Sequence, residues 1–586
     1  MPDFYLATSV KFDIWDENCT IVTFVENCAG IEQELASKYN FLNINSPWVE
    51  NEKYHNAKIS VDRIYQKFLP LFISRLESYH KVKYSEHSWR IIIGPWLFQA
   101  ISVLYDRYYS IENAFHIHPN MWTHILDYEY TDIPIDSHDL HYLLTDDYYN
   151  FWLYSRVLLF KGYEFPFVKV NRDREIIKPK SGIFKKITKQ ILRKFNLILL
   201  KLFSSKVNMV GYSTYIPIKF EYLFSVLTKF KYLTIIPFER NYIASDVEID
   251  DRKSIMAPFK SFDSDFEYFL SKTLPFLLPK SLFENFIWIS NKVAHLNFRA
   301  KYLVSAESWH YDEFFKRLAA NHFDMKGVLI GIQHGGTYGG VQSYIPHEQH
   351  ELSIVNQFYS WGWEKNYMNK IFPFYAIKLT GRKQVNYNKN SKILFVGTGN
   401  SRYLINFQFL PFKLKKYFTD QRVFINELDS VYFSRIVFRL FQQEYGWNYL
   451  KKIKSDYPFI QFDDNRLGFL DSLVNYRICV IDHISTTWLE ALALNMPTII
   501  FGIDNLAECD EEIQSYYTVL KKAKIIHDSP KDAAQFLKEI FDDVDSWWNS
   551  FETQYARKLV CEKYARTSDK PLSDYRVQFY NKYFKK

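Results

Sequence analysis

The chain has 586 residues, 47% of them hydrophobic and 19% aromatic, with 73 Lys and Arg against 66 Asp and Glu for a net charge of +7. That length exceeds a single hydrophobic core and predicts about two or three domains. The small positive excess admits an anionic substrate or a membrane surface, while the lack of any zinc-finger or RNA-binding signature leaves nucleic acid out of the expected partners.

The opening "MPDFYLATSVKFDIWDENC" lacks the basic, apolar and small-residue order of a secretion signal. "FYLATSV" (4–10) and "CTIVTFV" (19–25) predict short strands. "WRIIIGPWLFQAISVLYDRYY" (89–109) predicts a buried strand, a break at Gly94-Pro95 and a helix starting at Trp96, which places Trp96 near substrate at a strand end. "KPKSGIFKKITKQILRKFNLILLKLFSSK" (178–206) carries nine basic residues and no acidic one. In it Phe184, Ile187, Ile191, Phe195, Ile198 and Leu202 recur at three or four residues and make one apolar stripe. Such a helix either lies in the interface of an anionic membrane or packs its stripe on the protein core. No run reaches the ~18 uncharged apolar residues of a spanning helix.

Residues 207–300 read as helical. The pattern then sharpens into parallel-sheet units: "KYLVSAES" (301–308), a helix over 311–323, "KGVLIGIQ" (326–333) and "NQFYSWGW" (356–363). A polar seam at 381–390 precedes "KILFVGTGNSRYL" (392–404), read as a fresh strand, loop and helix. The expected organisation is an acceptor-side α/β domain with helical additions over 1–385 and a nucleotide-sugar domain over 386–550. A C-terminal helix over 551–586 then crosses back to the first domain. Two Rossmann-like α/β domains in tandem face a cleft, the usual position for a ligand.

The richest constellation is "CVIDHISTTWLEALALNMPTIIFG" (479–502). A strand runs into His483, and Ser485, Thr486 and Thr487 occupy the loop and helix start. Those hydroxyls can cap free N–H groups or join them around a phosphate. Glu490 fits a capping box and fits equally a carboxylate on a ribose diol. In "VGTGNSRYL" Asn400, Ser401 and Arg402 form either a structural turn or a phosphate contact. Arg466 can face the donor or mark a plain surface turn. Neither a P-loop nor a dinucleotide fingerprint occurs.

In "GVLIGIQHGGTYGG" (327–340) a strand ends in Gln333 and His334, followed by Gly335 and Gly336, which permit close approach of backbone or substrate. His334 is a structural histidine, or an acid, base or hydrogen-bond donor to phosphate or carboxylate. Tyr338 and His347 join Gln333, Gly335, Gly336 and Trp96 as substrate-side candidates. In "VQSYIPHEQHE" (341–351), His347, Glu348, His350 and Glu351 read as either a loop that grips an acidic sugar or a solvated polar loop, with a spacing that does not favour a metal. Sugar transfer needs a base for the acceptor hydroxyl, and Glu307, at the end of its strand, is the candidate. The five cysteines, at 19, 28, 479, 509 and 561, have no metal-ligand spacing and fit a reducing compartment.

Taken together, "LATS", "WRIIIGPWL", "GIQHGGTYG", "FYSWGW" and "STTWLEALALNMPTI" make the chain resemble the LIC12162-family transferases of bacterial surface-polysaccharide loci. It is more distantly similar to bacterial Kdo-type glycosyltransferases, two-domain GT-B proteins that use CMP-activated acidic sugars. The resemblance implies a donor site around Ser485–Glu490, an acceptor site in the first domain and the "QHGG" loop in the cleft between them. The residues themselves are read as a metal-independent, inverting transfer with a nucleotide-sugar co-substrate, no other cofactor and a glycan or glycolipid acceptor, in a cytoplasmic protein that the basic helix can place on the inner membrane. The "HP" motif of CMP-sialic-acid transferases is absent from the second domain, where His483 is the nearest polar substitute. The rival readings are a glycerol- or ribitol-phosphate transferase on a similar scaffold and a non-catalytic assembly module.

Overall fold

The computed structural model describes the chain except residues 1–2, 11, 25–37, 131, 171–182, 244, 256–261, 297, 342–343, 366, 389–391, 444, 448, 503–508, 571–572, 575–580 and 585–586. Cys28 and residues 178–182 of the basic segment therefore lie outside the described residues, and among the described residues the other four cysteines form no disulfide.

Short apolar runs build three parallel sheets, one more than the two expected. β1 (Phe4–Ala7), β2 (Thr20–Phe24), β3 (Phe41–Ile44) and β4 (Met121–Trp122) pair in the order β3-β2-β1-β4. Helices α1 (Asn51–His80) and α2 (Glu86–Ile117) share a core with this sheet. A minor two-stranded sheet pairs β5 (Ile125–Leu126) with β6 (Phe167–Val168).

The expected strand-turn-helix over 89–109 is instead continuous helix within α2. Its apolar run is long because α2 is buried on nearly every side, from Trp89 and Ile91 through Trp96 and Leu97 to Leu104. Gly94 is a notch, not a break. A Cβ there would sit 2.9 Å from the Tyr65 hydroxyl and 3.1 Å from His350, so its absence lets neighbouring helices close on α2.

The second sheet contains β7 (Met209–Tyr212), β8 (Tyr232–Ile235), β9 (Tyr302–Ser305), β10 (Val328–Ile332), β11 (Gln357–Ser360) and β12 (Ile371–Pro373). They run parallel in the order β12-β11-β10-β9-β7-β8. Within 207–300 the helical reading holds at Asp265–Leu277 and Phe286–Ala294 but not at β7 and β8: at four residues each, too short to show alternation, both are buried throughout. Around this sheet lie α3 (Ile183–Leu202), α4 (Ile218–Leu227), α5 (Glu313–Asp324) and α6 (Pro346–Ile354). α6 replaces the polar loop expected at 346–351, with Pro346 at its first turn.

The third sheet has β13 (Lys392–Val396), β14 (Ile436–Arg439), β15 (Gln461–Phe462), β16 (Tyr476–Ile481) and β17 (Thr498–Ile500), parallel in the order β15-β14-β13-β16-β17. Helices α7 (Leu414–Asn426) and α8 (Thr487–Ala493) belong to it. The helix expected directly after "VGTGN" does not form. Residues 400–410 are irregular, because Ser401 accepts from its neighbour Tyr403 N at 3.1 Å and Tyr403 is tied through its hydroxyl to Asp147 at 2.6 Å.

Helix α9 (Phe551–Tyr564) leads to a tail that touches the second sheet's lobe. Arg566 N donates to Trp361 O at 3.0 Å, and Asn208 Nδ2 donates to Tyr583 O at 2.8 Å. Among the described residues, no helix is long and apolar enough to cross a membrane. The second and third sheets form the two lobes of a GT-B-like α/β fold, with the N-terminal sheet and its long helices added to the first lobe.

Candidate functional site

In a parallel α/β sheet, ligands sit where successive connections leave in opposite directions, outside the carboxyl ends of the strands. In the third sheet that point lies between β13 and β16. The loops there are 397–400 and 482–486, the two segments singled out in the sequence. Asp482, 1% exposed, ends β16 and accepts from Gln421 of α7. Gln421 also donates to Tyr417 Oη at 2.8 Å, and that hydroxyl accepts from Thr398 N at 2.8 Å. One helix thus ties both loops together.

From Asp482 a chain of polar groups runs outward. Its carboxylate pairs with His483 Nδ1 at 2.8 Å, and His483 Nε2 meets Thr487 Oγ1 at 3.1 Å. Thr486 has helical dihedrals and makes no side-chain cap; its Oγ1 instead accepts from Gly336 N at 3.0 Å. Ser485 is half-buried, and its hydroxyl makes no hydrogen bond among the described residues. The three hydroxyls are therefore not equivalent: two are engaged and Ser485 is free. Glu490, 4% exposed, forms no capping box and pairs with Lys378, which follows β12 in the first lobe.

The reversal of the second sheet falls between β7 and β9. After β7, Tyr215 takes a left-handed φ of 63° and donates its hydroxyl to Glu307 Oε2 at 2.5 Å. Glu307 follows β9 and is exposed to solvent. Burial, then the adjacent Glu307, holds the Tyr215 phenol well above its ordinary pKa, so it stays a donor. Lys378 lies 5.9 Å from the Tyr215 ring centre and reaches Glu490, so the two reversal points abut.

His334 follows β10 with its side chain 21% exposed, 3.6 Å from Glu351 Oε1 and 3.5 Å from the Tyr338 hydroxyl. Glu351 is fully buried; its Oε1 accepts from Tyr338 Oη at 3.1 Å and contacts His310 Nε2 at 2.9 Å. Desolvation drives Glu351 well above the carboxylate range and His310 and His334 well below the usual imidazole range, with His347 adding to both histidine shifts. Both shifts favour the uncharged forms of the network. Behind it, His310, His347 and His350 of α6 and its surroundings line a cavity of about 120 Å³, together with Arg90, Trp96 and Asn406. Among the described residues, no three His, Cys, Asp or Glu side chains form a group able to hold a metal.

Glu307, His334, Gly335 and Gly336 thus gather with Ser485, Thr486, Thr487, His483 and Glu490 where the lobes meet. Other sequence candidates are turned elsewhere. Gln333 is 2% exposed, and its amide is consumed internally, donating to Gly335 O at 2.6 Å and accepting from Trp361 N and Trp363 Nε1, both at 2.7 Å. It braces the turn. Tyr338 is 2% exposed and serves Glu351, and Trp96 is held in the core by its bond to Leu277 O at 2.7 Å, with one edge on the cavity. Arg402, 5% exposed, pairs with Asp147 of the N-terminal region, away from the β13–β16 crevice. Asn400 accepts from Trp447 Nε1 through its carbonyl, and Ser401 is 7% exposed and bonded to its own loop. The Arg466 side chain is 86% exposed and pairs with Asp464.

Tyr215, Lys378 and His310 carry no motif in the sequence. For Tyr215 the usable signal is "VNMVGY" (207–212), a short apolar run whose identification as a strand would have put the next residues at a sheet edge.

The sequence matches the LIC12162 family transferase profile over residues 4–579, and the chain belongs to that family. No curated protein matches it. Among solved structures, it is similar to a UDP-GlcNAc 2-epimerase from Neisseria meningitidis bound to UDP-GlcNAc, at 11% identity. That match covers 60% of this chain and 98% of the other, with a TM-score of 0.34. It is also similar to the spinosyn rhamnosyltransferase SpnG in complex with spinosyn aglycone (10% identity, 63% and 99% coverage, TM-score 0.27). The glycosyltransferase SnogD from Streptomyces nogalater matches at 10% identity, 61% and 99% coverage and a TM-score of 0.26. At these scores the strand orders, not the superpositions, carry the description of the fold.

Proposed function

We propose that this transferase is a glycosyltransferase that takes a sugar from a nucleotide-activated donor. The observation that carries the reading is the junction of the two reversal points: the Tyr215–Glu307 pair and the 482–487 loop meet through Lys378–Glu490 and Gly336–Thr486. A donor seated on the 397–400 and 482–487 loops would then lie beside an exposed carboxylate that is held in position.

In this mechanism Glu307 takes the proton of the acceptor hydroxyl as its oxygen forms a bond to the anomeric carbon. The bond from that carbon to the nucleotide phosphate breaks, and the phosphate keeps the electron pair, which gives inversion. Tyr215 orients the base. The Ser485 hydroxyl, which has no partner among the described residues, and the desolvated His334 donate hydrogen bonds to the charge that develops on the leaving group. Arg402 and Arg466, first considered for that role, are diverted by Asp147 and Asp464. No metal step is invoked.

Within this reading the donor is a CMP-linked acidic sugar of the Kdo or nonulosonate type, and the product a bacterial surface polysaccharide, as the family resemblance implies. The test is nucleotide release from a panel of nucleotide sugars with purified protein. Release of CMP with transfer of the acidic sugar supports it, glycerol-phosphate transfer replaces it with the polyol-phosphate reading, and absence of donor binding favours an assembly module.

A further inference from the structure

Helix α3 docks on the first lobe by one face only. Leu200 and Asn196 are buried at 6% and 3%, Arg193 donates to Pro237 O at 2.7 Å, and Asn196 accepts from Tyr222 Oη at 2.8 Å. The opposite face is apolar and open: Ile187 is 48% exposed, Ile191 61%, Phe195 49%, Ile198 57% and Leu202 70%. At 100° per residue these five fall within about 80° of the helix circumference. The stripe is therefore not packed on the protein's own core.

The open face continues onto α4. Phe195 meets Tyr222 with ring centres 6.3 Å apart, and beyond it Leu223, Val226 and Leu227 are 39%, 60% and 56% exposed. Its border is cationic. Lys194 and Lys201 lie along one edge of the stripe, Lys219 and Lys229 are exposed on and just after α4, and α3 contains no acidic residue. An apolar band edged by lysines and free of carboxylates matches one environment, the headgroup boundary of an anionic bilayer, where aliphatic groups enter the acyl region and ammonium groups meet phosphate.

We infer that the α3–α4 face is the surface by which this protein docks on an anionic lipid bilayer. α4 starts three residues after Tyr215, whose hydroxyl holds Glu307, and Ile218 at its first position is 42% exposed. The bilayer contact thus adjoins the edge where the proposed base sits. This favours an acceptor carried on lipid, a consequence that rests on the glycosyl-transfer reading, whereas the bilayer contact itself does not.

The test is flotation of the full chain with phosphatidylcholine vesicles, with and without about 30% phosphatidylglycerol. The wild type should float with the anionic vesicles at low salt and be released by high salt. Two variants, Ile191→Glu/Ile198→Glu/Leu202→Glu and Lys194→Glu/Lys201→Glu, should each partition about tenfold less or worse. Both replace exposed side chains, so their melting temperatures should equal that of the wild type. The inference is overturned if the wild type stays in solution with anionic vesicles at low salt, or if the triple variant floats equally well. It is also overturned if light scattering shows a dimer that the triple variant dissolves, since the face would then belong to a second copy. Nucleotide titration without vesicles reads the donor site separately, so loss of one property leaves the other interpretable.

Discussion

Gly336 brings backbone of the first lobe against backbone of the second in the candidate site, and adding one methyl there tests whether that contact sets the cleft. A Cβ at this position would lie 2.9 Å from Thr486 Cα, 3.0 Å from Ser485 O and 3.0 Å from Leu489 Cδ1. Two of these neighbours are backbone, so no side-chain rotation relieves the clash. Restoring ordinary contact at 3.4 Å requires the loop to retreat by about half an ångström, which stretches the 3.0 Å bond from Gly336 N to Thr486 Oγ1. Overpacking of this kind costs about 1–3 kcal/mol, and weakening the hydrogen bond adds about 1 kcal/mol at most. Since a misplacement of about 1 Å can cost ~10²-fold in rate, half of it should lower turnover about tenfold. Gly335 is the internal control, because a Cβ there meets nothing nearer than 3.6 Å and its φ is not left-handed. Gly336→Ala should therefore lower the melting temperature and weaken titrated binding of cytidine or uridine nucleotides, while Gly335→Ala changes neither. If the two variants behave alike in both assays, the Gly336–Thr486 contact does not set the geometry of the cleft.

Glu307→Gln should reduce turnover by ~10²–10⁴-fold with nucleotide affinity intact, and Tyr215→Phe by a smaller factor; equal turnover in Glu307→Gln and wild type removes Glu307 as base. Glu351→Gln keeps a neutral acceptor for Tyr338 and His310 and should melt like the wild type, whereas Glu351→Ala strands both groups and should lose ~1–3 kcal/mol; a Gln variant as unstable as Ala would mean an ionised Glu351. Arg402→Met should destabilise the protein without changing nucleotide affinity, and a fall in affinity would return Arg402 to the donor site. Burial lowers His347 from 6.5 to about 4, so between those values the unfolded chain binds the extra proton and stability falls as the pH falls; the melting temperature should drop across that window, and less so in His347→Gln.

Much of the second lobe was legible in the sequence, because β13, β16 and β17 are apolar runs bounded by Gly, Asp or Pro and their loops carry the polar groups. In the first lobe the strands legible in the sequence were β1 and β2 and those from β9 to β11. β7 and β8 were missed because four buried residues have no period to read, and with them went Tyr215. α2 misled for a related reason, since a helix buried on all sides looks locally like a buried strand. Contacts distant in sequence were beyond reach. Nothing near Arg402 announces Asp147, which lies 255 residues earlier, and nothing near Glu490 announces Lys378. The polar residues of these loops could therefore be named from the sequence, while the pairings that decide which are engaged came only with the fold.

Those pairings have a consequence for how a leaving phosphate can be stabilised. Arg402 and Arg466 are turned elsewhere and paired with Asp147 and Asp464, and Lys378, at the junction of the lobes, is paired with Glu490. His310 and His334 are held neutral by desolvation. On the proposed mechanism, little net positive charge remains, and the developing anion must be met by fixed dipoles: the Ser485 hydroxyl, the His334 N–H and loop N–H groups. Such donors act through orientation, and their effect decays with distance far more steeply than that of a mobile cation. A site of this kind depends on the lobes being seated at a fixed separation. On that mechanism Gly336 would set the separation, because a Cβ there would lie 2.9 Å from Thr486 Cα, whereas at Gly335 the nearest atom would be 3.6 Å away.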